Sequence, residues 1–134
     1  MIKYLFLYGT LMRPKSDEAI CRVVNRLHRM GAGSVRGKLY DFGDYPGAVV
    51  DPSSSTWVRG ELVELPEDEN LLDALDKYEE FDPTNPQHSL FVRTKVRIQL
   101  SDGGSVNAWM YVYNKHPGNA PTITGGRYSS SKVA

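Results

Sequence analysis

The sequence predicts an α+β fold: a small barrel of mixed strands with two main helices flanking it. Three observations carry that expectation. Several segments alternate in polarity or run apolar over strand-like lengths, whereas only residues 16–30 and 66–80 repeat apolar side chains at helical spacing. The second half of the chain is joined by hairpin-type turns, which make sequence neighbours into antiparallel partners. A chain of 134 residues buries one sizeable core, and a curled sheet packed under helices is an economical way to build it.

The elements follow in chain order. Residues 3–8 read as a buried strand because Tyr4, Leu5, Phe6, Leu7 and Tyr8 are all apolar or aromatic. Gly9 and Thr10 stop it, and Pro14 follows at once. Ser16 can cap a helix, with Asp17 and Glu18 favourably placed against its N-terminal dipole. Ile20, Val23, Val24, Leu27 and Met30 give that helix its apolar face, and Gly31 and Gly33 are expected to end it. A strand is expected over 34–43, with Val35, Gly37 and Leu39 on one face. Asp44-Tyr45-Pro46-Gly47 is a turn before a short strand, 48–50, and 51–56 is a loop. Residues 57–65 alternate as a strand should. Pro66 suits the first position of a second helix whose apolar face is Leu71, Leu72, Leu75 and Tyr78. Two prolines make 81–89 irregular. A long strand over 90–100 turns at Asp102-Gly103-Gly104 into another over 106–113. One domain is expected over 1–128, with a flexible tail at 129–134.

Composition narrows the function. Sixteen basic residues balance sixteen acidic ones, so the basic excess typical of nucleic-acid or anionic-membrane binding is missing. No segment approaches the roughly 20 apolar residues of a membrane helix. Lys3 interrupts the first apolar run, so no signal-peptide pattern is read and a cytoplasmic location is expected. The single cysteine, Cys21, cannot form an internal disulfide and reads as a small buried hydrophobe. His28, His88 and His116 stand far apart with no metal-ligand spacing, so no metal site is expected.

One carboxylate stands out. Leu72, Leu75 and Glu79 are spaced by three and four, so Glu79 projects from the apolar face of the second helix. A charge there is costly unless it is paired, protonated or catalytic. Two readings stay open: a helix-end carboxylate turned to water or paired with Arg93, and a working acid or base. Tyr8-Gly9-Thr10-Leu11 likewise reads either as a tight strand-to-helix turn or as a site. Gly9 admits a ligand close to the backbone, and the amides of Gly9, Thr10 and Leu11 can bind a carboxylate or oxyanion.

Tyr8-Gly9-Thr10-Leu11, Gly37-Lys-Leu-Tyr40 with Tyr45-Pro46-Gly47, Gly60-Glu-Leu-Val63, Leu75-Asp76-x-x-Glu79, Phe91-x-Arg93 and Trp109-x-Tyr111-Val-Tyr113 occur in that order. In that arrangement the chain resembles the γ-glutamylcyclotransferase superfamily, with its AIG2-like and γ-glutamylamine cyclotransferase branches. The resemblance implies a small mixed-strand barrel and a γ-glutamyl substrate bound by the Tyr8–Leu11 loop. It also implies a single glutamate, Glu79 here, acting as acid and base without a metal or cofactor. The implied reaction is internal aminolysis releasing 5-oxoproline from a γ-glutamyl amine or γ-glutamyl amino acid. A non-catalytic pocket for a small acidic metabolite is the alternative. Tyr45 and Tyr113 are candidate pocket walls or packing residues. Arg93 can orient Glu79, hold a substrate carboxylate or pair at the surface. The chain departs from the family pattern in having Glu79-Glu80 where Glu-Gly is common, and Phe91 where many members have Tyr.

Overall fold

The computed structural model describes residues 2–8, 22–24, 26–43, 45–67, 69–123 and 125–126. Six strands run through them: β1 (Tyr4–Leu7), β2 (Arg29–Asp41), β3 (Pro46–Val50), β4 (Trp57–Glu64), β5 (Phe91–Leu100) and β6 (Ser105–Tyr113). Their order is β3-β2-β4-β1-β6-β5, and β5 pairs back onto β2. Five strands therefore close into a barrel, with β3 appended outside the ring. Only the β1–β6 pair is parallel (Leu5 opposite Trp109); the other pairings are antiparallel.

Strand alternation separates two layers. Phe6 of β1, Val35 and Leu39 of β2, Val58 and Leu62 of β4, Val96 and Ile98 of β5, and Ala108 and Met110 of β6 form one buried cluster. All five barrel strands contribute to it, so it is the filling of the barrel. Leu5 and Leu7 point the other way, joining Val63, Phe91 and Tyr111 under Val24, Leu27, Leu71 and Leu75. That outer layer is where the helices dock. Residues 22–24 and 26 are helical, and α1 spans Glu69–Tyr78. Ten residues make a helix that is marginal alone in water, so its stability comes from burying Leu71 and Leu75. Each contributes about 1.5–3 kcal/mol.

Two expectations need correction. The first helix does not run to Met30. β2 begins at Arg29, and Gly31 and Gly33 lie inside it. Gly31 marks a bulge, where the register against β4 slips between Arg29 and Gly31 and φ is +131°. Gly33 sits where β2 meets β5; a Cβ there would lie 2.6 Å from Ile98 Cγ2. Pro66 is not the first residue of α1 but stands in the connection before it. The Asp102-Gly103-Gly104 hairpin forms as expected, with Gly103 at φ +101° and the Leu100 N–H donating to the Gly104 carbonyl (2.7 Å). Beyond β6 the chain returns to β2, where the Asp41 N–H meets the Pro121 carbonyl (2.8 Å) and the Ile123 N–H meets the Leu39 carbonyl (2.7 Å). Among the described residues, no helix is long and apolar enough to cross a membrane. Ser16, Cys21 and the 129–134 tail lie outside the described residues.

Candidate functional site

The C-terminal end of α1 is built by a paired hydrogen-bond closure. The Phe81 N–H donates to the Asp76 carbonyl (2.8 Å) and the Glu80 N–H to the Lys77 carbonyl (3.2 Å). These are the two bonds of a Schellman motif, which makes Glu79 the capping residue and Glu80 the residue after it. That next position adopts left-handed backbone: Glu80 has φ +57°. Phe81 then packs into the same cluster as Leu75, completing the apolar contact such caps use.

This closure holds the Glu79 carboxyl within the protein, although part of the residue reaches the surface. Burial is the main reason its pKa rises from 4.5 to about 8, and the neighbouring Glu80 charge adds to it. Among the described residues, no hydrogen bond or ion pair compensates that carboxyl. Two phenols feel its charge. Tyr8 is pushed up first by burial and then by Glu79; Tyr111 is pushed up by burial, by its bond to Asp76 and also by Glu79. Glu79 therefore stands near the end of β1 and near β6.

Tyr8 is itself held on both sides of its oxygen. Its hydroxyl donates to the Tyr111 carbonyl and accepts from the Ala48 N–H (3.3 Å). It is buried and packs with the barrel filling.

Arg93 does not reach Glu79 as a partner. Its Nε donates to Asp76 Oδ1 (2.9 Å) and its Nη2 to Asp76 Oδ2 (3.2 Å). Its guanidinium also lies over the Trp109 ring, 4.5 Å from the centroid. Asp76 is buried, and the Tyr111 hydroxyl donates to its Oδ1 (2.6 Å).

Tyr45 and Tyr113 enter an aromatic floor. Phe42 and Tyr113 stack at 4.3 Å, Phe42 lies 5.6 Å from Tyr45, and Phe91 meets Tyr45 and Tyr113 edge-on at 6.0 and 5.6 Å. Gly47 lies against the floor, where a Cβ would come within 2.5 Å of Phe42 Cε2. Tyr45, Phe91 and Tyr113 pack in the same cluster as Leu75, Tyr78 and Phe81, on the side of the barrel that α1 covers.

Of the residues singled out from sequence, Tyr8, Tyr45, Glu79, Arg93 and Tyr113 are thus gathered on the α1 side or directly beneath it. Gly9, Thr10 and Leu11 lie outside the described residues. Sequence reasoning gave no role to Asp76 or Tyr111. Both sit in the quoted motifs, but the signal that joins them is the cross-strand pairing of Arg93 with Tyr111. A separate cleft of about 440 Å³, bounded by Lys38, Trp57, Arg59 and Gly126 among others, shares none of these residues. Among the described residues, no group of three or more His, Cys, Asp or Glu is placed to hold a metal ion.

Comparison with known proteins gives a consistent picture. The family model described as gamma-glutamyl cyclotransferase, AIG2-like, matches residues 5–130. No curated protein sequence matches the chain. Among solved structures, YkqA from Bacillus subtilis is 20% identical with a TM-score of 0.68; the match covers 96% of this chain but only 40% of YkqA. An AIG2-like protein from Mus musculus is 23% identical, with coverage of 96% and 89% and a TM-score of 0.71. A structure named gamma-glutamyl cyclotransferase is 14% identical, with coverage of 90% and 69% and a TM-score of 0.62. At these identities the likeness is one of fold.

Proposed function

The chain belongs to the gamma-glutamyl cyclotransferase, AIG2-like family, and we propose that it releases 5-oxoproline from a γ-glutamyl amine or γ-glutamyl amino acid, with Glu79 as general acid and base. One observation carries the reading: a carboxyl with no compensating partner among the described residues, held at a helix end beside Tyr8 and raised to about 8.

The chemistry suits such a group. The α-ammonium of the substrate must lose a proton before its nitrogen can attack. A carboxyl with a pKa near 8 lies much closer to that of the substrate ammonium than an ordinary glutamate does, so the energetic mismatch of the proton transfer is reduced. About a tenth of the carboxyl is ionised at pH 7, enough to serve as base. The freed amine adds to the γ-carbonyl carbon of the same molecule, forming the new C–N bond of a five-membered ring. The tetrahedral intermediate then expels the original amide nitrogen, which leaves with the proton returned by Glu79, while the ring nitrogen gives up its second proton to the freed Glu79 carboxylate and becomes the lactam N–H. Bond making and breaking balance without a cofactor. Both reacting groups belong to one molecule, so the pocket has only to fold the substrate and exclude water. The amides of Gly9, Thr10 and Leu11 are the proposed oxyanion donors. Tyr45 and Tyr113 are proposed walls, with Tyr8 behind them. Arg93, bound to Asp76, is proposed to act through that residue rather than on the substrate directly.

The test is direct. The protein is incubated with a panel of γ-glutamyl amines and γ-glutamyl amino acids, and 5-oxoproline is measured. Turnover that climbs with pH toward 8 and is lost in Glu79→Gln supports the assignment. A panel that yields no 5-oxoproline, or full turnover by Glu79→Gln, overturns it.

A further inference from the structure

Asp76 takes no part in the proton transfers above, yet the fold has been built around it. We propose that Asp76, Arg93 and Tyr111 form a positioning network that locks the last turn of α1 onto β5 and β6 and thereby sets where the Glu79 carboxyl stands. The proposal rests on the acid–base reading of Glu79, but its central readout does not need turnover.

The geometry converges from three elements. Arg93 on β5 and Tyr111 on β6 are direct cross-strand partners, so their side chains leave the same face of the sheet. Both meet Asp76 on α1. Its carboxylate accepts from Arg93 through both oxygens and from the Tyr111 hydroxyl at 2.6 Å. The backbone of the same residue accepts the Phe81 N–H that closes the turn carrying Glu79 and Glu80. Asp76 thus ties the helix cap to the sheet through both its backbone and its side chain. Trp109 braces Arg93 from the other side.

A buried ion pair is a weak source of stability, since losing hydration offsets much of the attraction. Apolar side chains of similar size would hold α1 down about as firmly. A bidentate fork and a short hydroxyl bond add direction, fixing the rotation and slide of the helix end where apolar contacts would let it shift. A misplacement of about 1 Å near a reacting group can cost on the order of 100-fold in rate.

The experiment replaces the network by apolar groups, leaving no buried charge unpaired: Asp76→Leu, Arg93→Met and Tyr111→Phe together. The Glu79 titration is followed by ¹³C NMR of the carboxyl, alongside thermal melting and kinetics on a turned-over γ-glutamyl substrate. The expected result is a folded protein that melts within a few degrees of the wild type. Its Glu79 titration falls from about 8 toward the ordinary glutamate range as the carboxyl drifts into water. The kcat drops about 100-fold while KM stays within about threefold. A Glu79 titration and kcat equal to wild type overturn the proposal, because a merely structural network would change melting alone. If the triple variant does not fold, Tyr111→Phe decides, since it keeps the ion pair: a downward Glu79 shift supports the network and an unmoved one overturns it. If the wild type turns over no substrate, the acid–base reading fails, and the NMR titration still answers the positioning question.

Discussion

Glu80→Gly tests the most unusual backbone position in the molecule. Glu80 is the only non-glycine among the described residues with positive φ, at +57°. An L-residue in left-handed backbone costs about 1–2 kcal/mol relative to glycine. Glycine returns about 0.4–1 kcal/mol of that through the greater freedom of the unfolded chain. The net expectation is a gain of about 0.5–1 kcal/mol, or roughly 2–4 °C in melting temperature for a chain of this size. The substitution also removes a charge that raises the Glu79 pKa. Glu80→Gln separates the effects, because it removes the charge and keeps the side chain. Both variants should lower the Glu79 titration below about 8 by a similar amount, and neither should restore 4.5, since burial is the larger cause. Only the glycine variant should be stabilised beyond the glutamine one. Denaturant melts of the two, compared at matched charge, isolate the backbone contribution; the pH dependence of kcat/KM or a carboxyl NMR titration reads the charge. Equal melting of the two variants would refute the strain argument. An unshifted Glu79 in both would refute the coupling of the two carboxylates.

Glu79→Gln should stabilise the protein in alkali and change little in acid. The native carboxyl binds its proton up to about pH 8 and the unfolded one only up to 4.5, so wild-type stability falls as pH rises between those values. Discounted for partial exposure, the gain at pH 9 is about 2 kcal/mol, read from urea melts at pH 5 and pH 9. Tyr8→Phe leaves the buried Ala48 N–H and Tyr111 carbonyl short of a partner; a loss of about 1–3 kcal/mol in chemical denaturation with an unchanged m-value is expected. Gly47→Ala drives a methyl into Phe42 and Tyr113 and should cost about 1–3 kcal/mol, with a weakened near-ultraviolet circular dichroism signal from the displaced rings.

Much of the barrel could be read from the chain because its strands announce themselves locally. β5 and β6 are joined by Asp102-Gly103-Gly104, and β4 alternates from Trp57 onward. β2 was harder. Val24, Leu27 and Met30 are spaced as on a helix, and glycine usually ends one. Met30 is in fact 44% exposed on a strand, and the glycines serve the bulge and the β2–β5 seam. Closure of the ring is a contact between residues such as Gly33 and Leu100, far apart in sequence, and no local pattern encodes it. The site divides in the same way. Glu79 was legible because helical periodicity places it on an apolar face. Asp76 looked like one more acid of the same helix, since its partners lie 17 and 35 residues away and meet only through strand register.

The two acids of that helix turn show how one element can hold opposite electrostatic solutions. Asp76 and Glu79 are three residues apart, so they lie on neighbouring parts of the same face. Asp76 is met by a guanidinium fork and a hydroxyl, which neutralise its charge and fix its direction. Glu79 has no such partner among the described residues and feels only burial and a like charge, so it holds its proton to about pH 8. A free cation beside Glu79 would favour its ionised form and pull it away from the range useful for exchanging protons with an amine. Committing Arg93 to Asp76 keeps the nearby positive charge occupied. The same contact that anchors the helix therefore leaves the neighbouring carboxyl to burial and the Glu80 charge, as the proposed acid–base role requires, and this predicts a sign. An Asp76 variant that frees Arg93, such as Asp76→Asn, should lower the Glu79 titration, measured by carboxyl NMR, while a variant that removes both charges together should lower it less.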